Sequence, residues 1–186
     1  IAVITRSVVS KVSFLNEYTD KEKDNLGKYS SNLFTLNTFY SSIKRTIKGN
    51  TPSDSTLSFL CKYWNCVASN IIQWNELNKK EISKVDLREN YIVTQGVVIQ
   101  AIGQVGSYFI NNSEINMYEI LKGLRNIDWR RSASIWKNRV IRADGKILTS
   151  NKAILLASNQ IKKELGIPLL PDEELKEKRY LESLTI

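Results

Sequence analysis

The sequence predicts a mainly α-helical domain carrying one small β-hairpin near residues 139–148, and three observations predict it. Apolar residues recur at the helical period in segment after segment, and these segments are bounded by Ser, Thr, Asp or Asn before and by Gly or a polar break after. A single Asp-Gly pair, Asp144-Gly145, separates two short apolar runs, which is the signature of a tight hairpin. The 186 residues are 42% hydrophobic and 25% charged, with 8 Gly and 3 Pro, so one domain can bury a core without disulfide or metal staples.

The elements follow in order. TDKEKD at 19–24 sets Thr19 three residues before Glu22, the capping-box spacing, so a helix is expected after it. Leu33, Phe34, Leu36, Phe39, Tyr40, Ile43 and Ile47 form one helical face that stops at Gly49. GNTPSD at 49–54 is a loop, and Ser53 or Asp54 caps a helix running to about Asn78 through Leu60, Tyr63, Trp64, Val67, Ile71 and Trp74. NKKEISKVD breaks the pattern, and Asp86 is expected to cap a long segment reaching Ile110. Within it Gly96 and Gly103 are two turns apart and share a face, with Gly106 nearby, where a neighbouring helix backbone can approach closely.

Ser113 is the expected cap of a short helix, EINMYEILKGL. Val140, Ile141 and Arg142 then face Lys146, Ile147 and Leu148 across the hairpin turn. Thr149, Ser150 or Asn151 caps the helix KAILLASNQIKKELG, which exits at Gly166 with Pro168 just beyond. These readings divide the chain into a helical scaffold (33–121), a basic hairpin–helix segment (122–166) and an acidic helical tail (171–186).

Composition excludes whole classes of chemistry. His is absent, which removes Ser-His-Asp and Cys-His nucleophiles and histidine metal sites. Cys61 and Cys66 lack a CxxC spacing and read as plain buried thiols. The glycines form no phosphate-cradling motif, and no carboxylate pair suggests acid/base work, so neither catalytic residues nor a cofactor or metal is expected. No apolar run is long enough to span a membrane, and Arg6 and Lys11 interrupt the opening stretch, so a cytoplasmic location is expected. A chain starting at Ile1 is expected to be the C-terminal part of a longer protein.

The net charge is +8, and it is unevenly placed: +2 over residues 1–121, +9 over 122–163 and −3 over 164–186. Arginine and lysine so concentrated neutralise phosphates and bind polyanions in a salt-sensitive way. The candidate DNA contacts are Arg125, Arg130, Arg131, Lys137, Arg139, Arg142, Lys146, Lys152, Lys162 and Lys163. Asn159 and Gln160 join them as residue types suited to adenine edges. The competing reading is a solvated, locally ion-paired face. Trp129 and Trp136 are seven apart, as core or interface anchors on one helical face would be, and Asp128 is placed to orient an arginine.

The run NIDWRRSASIWKNRVIRADGKILTSNKAILLASNQIKKELGIPLLPDEE resembles the end of the DndB family of DNA sulfur modification proteins and of related DGQHR-domain proteins. LRENYIVTQGVVIQAIGQVG is similar to that family's YIxxHGVxLxALGxxG segment, and TDKEKDNLGKYSSNLFTLNTFYSSIK to its TEKEK and KLFTLSAIY region. The resemblance runs from about residue 5 to 175; Gln95 stands where the family segment often has His, and the DGQHR motif itself is absent. It implies a bacterial regulator of DNA phosphorothioation that binds the promoter DNA of the modification genes and represses them. The alternative is a docking module, without DNA contact, for its own N-terminal half or a modification-complex subunit. Trp129, Trp136 and the glycine face would then form the contact. A homo-oligomer fits either role.

Overall fold

The computed structural model describes residues 1–185; Ile186, the last residue of the expected acidic tail, lies outside them. The fold is mainly α. Its helices are α1 (Ala2–Lys11), α2 (Ser13–Tyr18), α3 (Leu36–Thr46), α4 (Asp54–Asn70), α5 (Ile72–Asn78), α6 (Lys84–Asn90), α7 (Gly96–Ile110), α8 (Met117–Leu121), α9 (Asn151–Leu165) and α10 (Pro171–Ser183). Two-residue strands β1 (Thr19–Asp20) and β2 (Phe34–Thr35) pair in parallel, Thr19 opposite Phe34 and Asp20 opposite Thr35.

Several ends fall where the sequence places them. Ser53 caps α4 in a reciprocal box with Thr56, Ser150 caps α9, and Gly166 closes α9 in the left-handed conformation at φ 71°. Others are corrected. No helix follows TDKEKD, because Asp20 folds its carboxylate onto the amides of Glu22 and Lys23, both at 2.9 Å, in a local turn that competes with a helical start. The expected helix to Asn78 breaks at Ile71, which is extended between α4 and α5. Ser83, not Asp86, caps the next helix, and the long segment to Ile110 splits because residues 90–92 pair with the chain at 129–131 before α7 begins. Asn116 replaces Ser113 as the cap of α8, which passes into a 3₁₀ turn over Lys122–Asn126.

The hairpin near 139–148 is also less regular than expected. Its turn forms, with Gly145 at φ 85°, the Arg142 amide bonded to the Lys146 carbonyl at 2.8 Å, and an antiparallel bridge between Ile141 and Ile147. No strand ladder extends from it, since the Asn138, Arg139, Val140 and Ile141 amides all bond within a compact turn around Trp136.

The centre of the molecule is the contact between α3 and α7. Gly96 lies against Thr38, Gly103 against Ser42 and Gly106 against Thr46, so the two helices run parallel. Ser42 Oγ donates to the Ile99 carbonyl at 2.8 Å and Thr46 Oγ1 to the Gly103 carbonyl at 2.6 Å. A Cβ at Gly103 would collide with the side chain and carbonyl of Ser42, so only glycine permits this approach. The expected close packing on the glycine face is therefore observed. Around it Phe14, Phe34, Phe39, Trp64 and Trp74 form a continuous aromatic core.

Candidate nucleic-acid interface

Four of the twelve candidate DNA contacts are interior, which corrects the sequence reading. Arg139 is 2% exposed. It donates two parallel hydrogen bonds to Glu177 at 2.7 and 2.9 Å and a third to the Leu156 carbonyl at 2.8 Å, while its guanidinium lies 4.1 Å from the Tyr180 ring centre. Lys162 is buried against Glu173 at 2.8 Å, and Asn159 donates to the Glu173 carbonyl at 3.1 Å. Gln160 is buried and donates to Glu164 at 3.0 Å. Arg139, Asn159 and Lys162 share one physical reason, since α10 folds back on α9 and brings Glu173 and Glu177 to them, whereas Gln160 is paired within α9 itself. Burial alone would push the Glu177 carboxyl up, but the hydrogen bonds from Arg139 and Lys163 outweigh it and hold the group down at about 2.

The remaining eight are at the surface in different states. Arg130 is clamped by Asp128 through contacts of 2.9 and 2.6 Å, so Asp128 orients an arginine as expected. Arg142 meets Asp144 at 3.3 Å and Lys163 meets Glu177 at 3.0 Å. Arg131 is half-buried, donating to the Arg88 carbonyl at 2.9 Å. Arg125, Lys137, Lys146 and Lys152 are exposed and have no carboxylate partner among the described residues. Trp129 and Trp136 are not exposed for stacking or docking. Their rings stack on each other at 5.5 Å, they are 1% and 0% exposed, and both indole N–H groups donate to backbone carbonyls. The glycine face is covered by α3, so the surface expected of a docking module is internal.

Lys152 is the candidate that the fold brings into a larger assembly. It lines a cleft of about 760 Å³ between α3, α7, α9 and α10, together with Arg45, Lys48, Lys176 and Arg179. Arg45 is the centre of this group. Its guanidinium donates to Gln100 at 3.3 Å, Gln104 at 3.2 Å and Asn151 at 2.8 Å. All three acceptors are neutral amide oxygens, so the arginine is held rigidly while its charge stays uncompensated. The acidic residues at the rim are Asp172, 3.7 Å from Lys176, and Glu173, already committed to Lys162. Segmental charge counting could not find Arg45 and Lys48, which lie more than seventy residues before the basic segment, nor Lys176 and Arg179, which lie in the tail counted as acidic. The nearest sequence signal was the amide pair Gln100 and Gln104, one turn apart and facing the same way.

Among the described residues no group of three or more Cys, Asp or Glu side chains gathers as a metal site would. Cys61 is half-buried and Cys66 buried, both free, and burial pushes both thiols up. No helix among the described residues is long and apolar enough to cross a membrane. No curated protein and no solved structure matches the chain. A family model described as DndB, DNA-sulfur modification-associated, matches residues 1–168, ending just before α10. With nine-tenths of its length covered, the chain belongs to the DndB family of DNA-sulfur modification-associated proteins.

Proposed function

We propose that this chain binds double-stranded DNA at the promoter of the modification genes and represses them, acting as a regulator and not as an enzyme. The observation that carries this reading is the cleft around Arg45. Cations from α3, α9 and α10 converge there, and the central one is oriented by neutral amides that leave its charge available to a phosphate. Lys48, Lys152 and Arg179 are exposed around it and supply contacts of the counterion-releasing kind. Arg125, Lys137 and Lys146 extend the positive surface beyond the cleft. Membership of a DNA-sulfur modification family supports a role on DNA.

The test is binding of the chain to a promoter fragment of the modification genes and to a scrambled duplex of equal length, from about 50 to 200 mM salt. Several phosphate contacts should weaken binding by about a thousandfold over that range. Salt-steep binding with a preference for the promoter is expected; no binding to either duplex would overturn the reading.

A further inference from the structure

The parallel pairing of α3 and α7 has a consequence at the end away from the basic cleft. Both helices begin at one cavity of about 710 Å³, walled by the loop over residues 24–28, by Thr35 and Thr38 of α3's start, by Thr94, Gln95 and Gly96, and by Arg88 and Arg131. Each α-helix presents orphan amide hydrogens and a partial positive charge at its N-terminus, and here two such ends are side by side. Thr35 caps α3 with its own side chain, but Gln95 makes no side-chain cap on α7, whose first residue, Gly96, lines the cavity and has an amide with no intramolecular acceptor.

Thr94 stands beside this helix start. The residue is 8% exposed and lines the cavity, and its hydroxyl, which makes no side-chain hydrogen bond within the described residues, stays accessible from the cavity. On an otherwise buried residue, such a hydroxyl is free to donate to an acceptor that enters the cavity. Arg131 supplies charge: Nε and Nη2 bond to the Arg88 carbonyl, leaving Nη1 unengaged. Arg88 spends its Nη groups on the carbonyls of Lys28, Ser30 and Asn32, which fixes the loop as the opposite wall. Of the two carboxylates in the lining, Glu89 is paired with Lys28 at 2.9 Å and Asp24 is exposed at the mouth. At Gly96 the nearest atom to an added Cβ would be 3.7 Å away in Thr38, so glycine is not required there by packing and instead leaves the backbone open to the cavity.

We propose that this cavity is a binding site for the phosphoryl group of a phosphate ester, held by the Gly96 amide, the Thr94 hydroxyl and Arg131. The volume suits a ligand as large as a mononucleotide. Uncapped helix starts bind phosphate through backbone N–H groups, and a guanidinium adds directed charge. The site is separate from the basic cleft, which lies along the C-terminal halves of the same two helices, so either can fail without the other.

The test is titration of the ¹⁵N-labelled chain with inorganic phosphate, with adenosine monophosphate and with a short duplex, following the amide resonances of residues 94–97. Saturable shifts with phosphate are expected. Thr94→Val, which removes only a hydroxyl with no internal partner, and Gly96→Ala, which fits the packing but places a methyl at the cavity wall, should each weaken phosphate binding about tenfold while leaving the melting temperature unchanged. Tighter binding of the nucleotide than of phosphate would make a free nucleotide the source of the ligand. Displacement of phosphate by the duplex would make it the DNA backbone. The absence of any saturable shift at residues 94–97, or equal affinity in wild type and Thr94→Val, would overturn the proposal.

Discussion

The contact of α3 with α7 and that of α10 with α9 hold the molecule by opposite chemistries. In the first, glycines and short hydroxyl side chains let two backbones meet, and Ser42 and Thr46 each reach a carbonyl across it. In the second, Glu173 and Glu177 enter the interior and are matched by Lys162, Arg139 and Asn159. At Gly103 the first contact tolerates no added atom; the second tolerates no lost charge. The difference also separates two uses of one basic segment. Cations that meet α10 belong to folding, and cations that α10 leaves free are available to a partner. The family match ends at residue 168, just before the helix that carries these carboxylates.

The comparison can be broken most sharply at the ion pair. Arg139→Met should cost about 3–5 kcal/mol by urea unfolding, because Glu177 is left buried without its bidentate partner, and adding Glu177→Leu should recover much of the loss. A double variant as unstable as the single one would show that the pair is not the source. Acid titrates the same contact. The Glu177 carboxyl lies near 4.5 in the unfolded chain and is held at about 2 in the folded one, so its contribution is present above about pH 4.5 and is lost as pH falls toward 2. Glu177→Gln should flatten the acid limb of the stability curve over that window.

At the other contact, Gly103→Ala should destabilise by about 1–3 kcal/mol, since the new methyl meets the Ser42 backbone and α3 must move. Gly96→Ala, whose added carbon finds open contact, should stay within about 0.5 kcal/mol of wild type. The smallest effect on folding is expected at the surface. Lys152→Gln should change stability by less than about 0.5 kcal/mol, yet lower the salt slope of DNA binding by about one.

Much of the helical content was legible because periodicity and capping are local. Ser53, Ser150 and Gly166 show their roles in the residues beside them, and the shared glycine face foretold the close helix contact that Gly103 makes. What the sequence hid was set by distant partners. The break before α7 follows from pairing of residues 91–92 with the chain near Trp129, and the parallel strands join residues fifteen apart across an irregular loop. The candidate site was half legible for the same reason. Charge counting located Lys152, Lys146, Lys137 and Arg125, but it could not tell them from Arg139 and Lys162, whose carboxylate partners lie in another helix. Nor could it join Arg45 to Asn151 across 106 positions.

The most direct test of the division between structural and free cations is the salt slope of duplex binding for the combined variant Lys48→Gln, Lys152→Gln and Arg179→Gln, compared with wild type at matched stability. The account predicts that the slope falls by about three and that affinity drops for every duplex alike, with the urea midpoint unchanged. An unchanged slope and affinity in a folded variant would contradict it.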